Sequence, residues 1–97
     1  MMSAAYLGRI YGIHDKTKKV WSVSIHRDRR GSEYLMGPPG GRQLIPDHNC
    51  GHEEGWKREA IKVFDLSDVR LVSSHAASGA GRKIRAELET KAARKHP

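Results

Sequence analysis

Apolar and polar positions alternate most clearly from Val20 to His26, where Trp21, Val23 and Ile25 are separated by Ser22 and Ser24. A period of two sends successive side chains to opposite faces, so this pattern predicts a half-buried strand from Lys19 to about Arg27. Tyr6 to Ile13 predicts a second strand just upstream. Strict alternation would put Leu7, Arg9, Tyr11 and Ile13 on one of its faces and Tyr6, Gly8, Ile10 and Gly12 on the other. Apolar residues on both faces and two glycines predict a bulge, a bend or a close backbone approach. The polar stretch His14–Lys19 has the length of a hairpin loop, so the fold should grow from this hairpin.

The pattern then weakens. Met1 to Ala4 reads as a lead-in, and Glu33 to Met36 as a short third strand. Gly37-Pro38-Pro39-Gly40-Gly41 stops regular structure, because proline lacks a donor and glycine permits positive φ. Arg42 to Pro46 predicts a brief extended piece anchored by Leu44 and Ile45. Asp47 to Gly55 is polar and reads as a loop. From Ala60 to Phe64, Ile61 and Val63 alternate with Lys62 and Phe64, which favours a strand over a short helix at Trp56–Ile61. Asp65-Leu66-Ser67-Asp68 predicts a tight turn, and Val69 to Val72 a last strand.

The expected fold class is mainly β: a small, strongly curved antiparallel sheet or SH3-like barrel of five to six short strands, with a C-terminal basic helix. The alternative is α+β, with Trp56–Ile61 and Arg82–Lys95 as helices packed on one side. The expected organisation is a β-rich domain over 1–72, a flexible linker over 73–81 made of small residues, and a helix or tail over 82–97. Arg82 to Lys95 is rich in helix formers. Its apolar stripe is thin (Ile84, Leu88, Ala92), so it should be helical only when docked on the body, on a second copy or on a partner.

Composition narrows the partners. The 97 residues are 37% hydrophobic with a mean hydropathy of −0.69, enough for one small core. Dimerisation would help so small a domain, which makes a homodimer a possible state. The net charge is +7, and it is uneven. Residues 1–47 carry eight Lys/Arg against four Asp/Glu, residues 48–81 four against five, and residues 82–97 six against two. A basic balance attracts nucleic acid, anionic surfaces and acidic proteins. One cysteine, Cys50, suits a reducing compartment. With no signal-peptide pattern and no apolar run of transmembrane length, the expectation is a cytoplasmic protein with no membrane partner.

The candidate binding residues are the basic ones. Lys16, Lys18 and Lys19 lie at the hairpin tip, Arg27, Arg29 and Arg30 at the other end of the second strand, and Arg42 after the Gly/Pro stretch. Arg82, Lys83, Arg85, Lys91, Arg94 and Lys95 form the tail. Such residues meet phosphates because releasing condensed counterions is favourable and salt-dependent. Tyr6 or Tyr34, if exposed, would stack on a base, whereas Trp21 and Phe64 fit the core. His48, Cys50 and His52 are zinc ligands by type, but their spacing matches neither C-x2–4-C nor H-x3–5-H, so they are weak metal candidates. Cys50 with a neighbouring histidine would need an electropositive pocket to act as a nucleophile. Glu53 and Glu54 oppose that, and no phosphate-cradling glycine loop is present. The sequence therefore predicts a protein without cofactor that binds rather than catalyses: a small nucleic-acid-binding module. The alternative is a small adaptor or inhibitor, of the mobile-element type, that blocks a larger complex through an acidic protein surface.

Overall fold

The computed structural model describes residues 5–38 and 40–95. The Met1–Ala4 lead-in, Pro39 and the last two residues lie outside them. Five strands, β1 (Ala5–His14), β2 (Val20–Arg27), β3 (Glu33–Met36), β4 (Arg42–Leu44) and β5 (Leu66–Ser73), form one antiparallel sheet in the order β4-β3-β2-β1-β5. A 3-10 turn at Asp47–Asn49 and helix α1 (Glu53–Phe64) connect β4 to β5, and α2 (Ala80–Lys95) follows. The sheet is open: β4 and β5 are its two edges and do not pair, so the barrel expectation is replaced by a sheet with two helices.

The helices lie on opposite faces. Under α1, Ile10, Val23, Ile25 and Leu35 of the sheet pack with Trp56, Ala60 and Phe64. On the other face, Ile13 packs with Leu88 and Ala92 of α2, flanked by Tyr11, Val20 and Ile84. The α+β alternative thus had the two helices, though it placed them on one side. Among the described residues no helix is long and apolar enough to cross a membrane.

The segment from Ala60 to Phe64, expected to be a strand, is the end of α1. Its buried residues, Gly55, Trp56, Glu59, Ala60 and Phe64, follow the helical spacing of three to four. The local alternation around Ile61 misleads, because Ile61 stays exposed. The Asp47–Gly55 loop also contains structure. His52 caps α1, its Nδ1 accepting from the Gly55 N–H at 2.9 Å, and Glu53 and Glu54 occupy the first turn, where carboxylates suit the helix dipole. The expected Asp65–Asp68 turn shrinks to one residue. Asp65, at φ 53°, ends α1 in the left-handed conformation, and Leu66 already belongs to β5.

A bulge and two glycines mark close approaches of the backbone. The pairing of β1 with β2 slips between Tyr6 and Gly8, so Leu7 is the extra residue of a bulge. A Cβ on Gly8 would lie 2.7 Å from the Val72 carbonyl oxygen, so no larger residue fits there without a shift. At Gly81, a Cβ would strike the Tyr11 hydroxyl, so glycine lets the first turn of α2 pass over that ring. Ser73 ends β5, Ala80 begins α2, and α2 is docked on the sheet with Leu88 wholly buried.

Candidate functional site

Strand pairing fixes the inventory of the face that α2 shares. Tyr6, Arg9, Tyr11 and Ile13 of β1 stand beside His26, Ser24, Ser22 and Val20 of β2. Tyr34 and Met36 of β3 continue the rows from His26 and Ser24, and Leu44 and Arg42 of β4 complete them. The bulge at Leu7 brings Tyr6 onto this face, whereas strict alternation put it on the opposite one. Helix α2 packs chiefly on β1, β2 and β5, over the end that carries Ile13 and Val20. Among the described residues, no helix packs on the other half, from Tyr6 and Arg9 across to Arg42 and Leu44. None of the β1–β4 side chains on this face is acidic.

On that half-face a ladder of rings crosses three strands. Tyr6 and His26 are 5.8 Å apart between centroids, tilted by 59°. His26 and Tyr34 are 5.3 Å apart and nearly parallel. The Arg42 guanidinium lies 4.5 Å over the Tyr34 ring, within cation–π range. Tyr34, flanked by His26 and Arg42, is only 5% exposed, whereas Tyr6 is 45% exposed and Arg42 is open. The ladder thus has a sealed middle and two free ends. Leu44, at 69% the most exposed large apolar side chain among the described residues, stands beside Tyr34 in register.

Hydrogen bonds fix the middle. Ser24 Oγ lies 2.8 Å from His26 Nε2, with which it shares a hydrogen bond, and 3.4 Å from the Met36 carbonyl. Burial, then the charges of Arg9 and Arg42, hold its pKa below the ordinary histidine value. Arg9 and Arg42 both stand on the same face of the sheet as His26. Arg9 also donates to Ser22 Oγ at 3.2 Å. Where α2 begins, the Arg85 guanidinium sits 5.5 Å over the Tyr11 ring.

The other basic candidates are scattered. Lys16, Lys18 and Lys19 are exposed at the β1–β2 tip, and Lys18 and Lys19 line a shallow cleft with Glu89, Ala92 and Ala93 of α2. Arg29 and Arg30 are exposed at the opposite end of β2. Arg82, Lys83 and Arg94 are exposed on α2. Lys91 Nζ is engaged with Asp68 at 2.9 Å, and the Lys95 side chain lies outside what the structure describes. Arg27 belongs to the other side of the sheet, where it donates to Glu33 Oε2 at 2.8 Å. Glu33 Oε1 accepts from the Gly51 N–H at 2.7 Å and from the Trp56 indole at 2.8 Å. Burial raises the Glu33 pKa, but these hydrogen bonds and the Arg27 charge outweigh it and carry the carboxyl below its ordinary value.

Of His48, Cys50 and His52, the last two have their side chains committed to structure. His52 caps α1 through Nδ1, and its Nε2 donates to the His48 carbonyl at 3.3 Å. The Cys50 thiol donates to the Ile45 carbonyl at 3.3 Å. Burial first, then Glu33 and Asp47, pushes that thiol's pKa up, away from the thiolate a nucleophile needs. Glu53 and Glu54, which the sequence pattern singled out for this effect, are not the groups responsible. Among the described residues no three His, Cys, Asp or Glu side chains are grouped to hold a metal ion.

Sequence reasoning missed Arg9 and His26 as site residues. The signal was present in the alternation, since Arg9 and His26 fall on the polar face of their strands, but nothing local shows that this face stays open. Compared with family models, curated proteins and solved structures, the chain matches none.

Proposed function

We propose that the protein binds nucleic acid through the half of the sheet that α2 leaves uncovered, with the basic surface of α2 and the hairpin tip adding long-range attraction. The observation that carries this reading is the combination on one open surface of Arg9 and Arg42, an exposed tyrosine and no carboxylate from β1–β4. Phosphates need the cations, and base faces need the rings. Arg85, over Tyr11 at the edge of this area, and the exposed Arg82 and Lys83 extend the cationic surface along α2. A reducing, cytoplasmic setting suits the lone Cys50, and this binding role includes no catalysis and no cofactor.

The test is fluorescence anisotropy of the full chain with labelled DNA and RNA oligonucleotides, single-stranded and duplex, over a salt series. The expected result is binding that weakens steeply with salt, and that is weaker in an R9A/R42A double variant than in R29A/R30A. Absence of binding to every probe at about 0.15 M salt, where even non-specific binders reach roughly 10⁻⁴–10⁻⁶ M, overturns the reading. The same surface would then be examined as a contact for an acidic protein, the adaptor or inhibitor role.

A further inference from the structure

Resting on that nucleic-acid reading, we infer that the ligand is a single strand whose unpaired bases stack on the Tyr6 ring and on the guanidinium plane of Arg42. The two free ends of the ladder set this choice. Tyr34 does not offer a ring face to a base, because Arg42 already covers it and 5% exposure leaves no room. Its work is to seat the Arg42 guanidinium, 4.5 Å over the ring centroid, and a planar cation so placed has a second side for a further stacking partner. At the opposite end Tyr6 rests against His26 and keeps nearly half its surface in solvent. β1 and β4 are three strand spacings apart, roughly 14 Å, so a strand laid across the sheet reaches both ends of the ladder.

A duplex fits this surface poorly. Its base faces are occupied by their neighbours, and reading its grooves takes a protruding helix or ribbon. Here the one helix on that face is fastened down by Leu88 and Ala92. The single strand's phosphates meet Arg9 beside the ladder and Arg85 at the start of α2. Leu44, next to Arg42 on β4 and exposed, supplies apolar surface for a base edge. RNA and DNA share the chemistry invoked, so ribo- and deoxyribo-oligonucleotides form separate arms of the test.

The test compares four probes of equal length at one salt concentration: a normal single strand in each sugar, a deoxy strand carrying abasic sites at its centre, and a duplex. The expected result is tighter binding of the normal strand than of the abasic strand or the duplex. Y6A should weaken the normal strand about 5- to 150-fold, the range for losing one stacked base, and leave the duplex unchanged. Y6F should retain binding. R42K, which keeps the charge and loses the plane, should behave like R42A towards the normal strand while preserving the salt slope. Tyr6 and Arg42 are exposed, so these variants fold, which far-ultraviolet circular dichroism checks. Equal binding of normal, abasic and duplex probes overturns the stacking inference and leaves the nucleic-acid reading standing. Failure of all four probes overturns both.

Discussion

On the α1 side of the sheet, Ile10, Val23, Ile25 and Leu35 are sealed beneath Trp56, Ala60 and Phe64. On the α2 side, the adjoining positions of the same strands hold Arg9, Ser22, Ser24 and Tyr34, and a helix covers only the end with Ile13 and Val20. One set of strands thus carries a finished core on one side and a half-finished surface on the other. The difference follows from the helices. α1 presents Trp56 and Phe64 with Ala60 and Val63 between them, whereas α2 has Ile84, Leu88 and Ala92 to bury. Folding free energy comes mainly from the first side, because burial of apolar area is the dominant favourable contribution. The second side is free to hold exposed cations and a ring, which a close-packed core would exclude.

The comparison breaks most visibly at fully buried positions. Leu35→Ala should cost about 2–5 kcal/mol and, in a domain this small, unfold a measurable fraction of the chain in a urea titration. Leu88→Ala should cost less, about 2–3 kcal/mol, with amide exchange in α2 accelerating before exchange in β2 and β3. Equal costs and simultaneous exchange would mean that the two sides form one cooperative unit.

Glu33 sharpens the α1 side. Glu33→Ala removes the acceptor of the Trp56 indole, the Gly51 N–H and Arg27, and should cost about 1–3 kcal/mol for the buried donors left unpaired. Because the folded-state pKa is lowered, ionised Glu33 contributes stability above the ordinary glutamate value of about 4.3. That contribution is lost as pH falls through this value towards the folded one. Urea midpoints of wild type and Glu33→Gln at pH 3 and pH 7 should therefore converge in acid.

His26 makes the matching statement for the open side. Its lowered pKa means that the folded state favours the neutral ring, so between the folded value and about 6.5 the unfolded chain binds more protons. Stability should fall as pH drops below about 6.5 and level off below the folded value, a trend that His26→Gln removes. Proton NMR of the imidazole gives the titration directly. An anionic strand on Arg9 and Arg42 should raise that pKa, so binding tightens as pH falls. The smallest effect is at Leu44: Leu44→Ser should change stability by no more than about 0.5 kcal/mol, because the side chain is already in solvent.

Much of the hairpin is legible in the residue pattern alone. The alternation in β2 and the polar loop after His14 define it, and the glycines of β1 signal the irregularity found at Leu7. Helix α1 is legible too, but at a different spacing from the one that local alternation suggests: Trp56, Ala60 and Phe64 mark its buried face, while the shorter run Ile61–Val63 favours a strand. The candidate site is legible only in part. Arg42, Tyr6 and Tyr34 stand out as residue types, but the rank of the two tyrosines, one exposed and one sealed under Arg42, depends on neighbours distant in sequence.

The chain's order of residues determined the hairpin, the charge and the thin apolar stripe of the last helix, because each is a property of a few adjacent residues or of simple composition. Tertiary structure alone decided that the sheet stays open, that the helices take opposite faces, and that Tyr6 joins Arg9, His26 and Arg42. Those outcomes turn on one extra residue in a strand and on how far a helix with three apolar contacts reaches. Both are settled by packing between segments many residues apart, where a one-residue slip exchanges the faces of a strand.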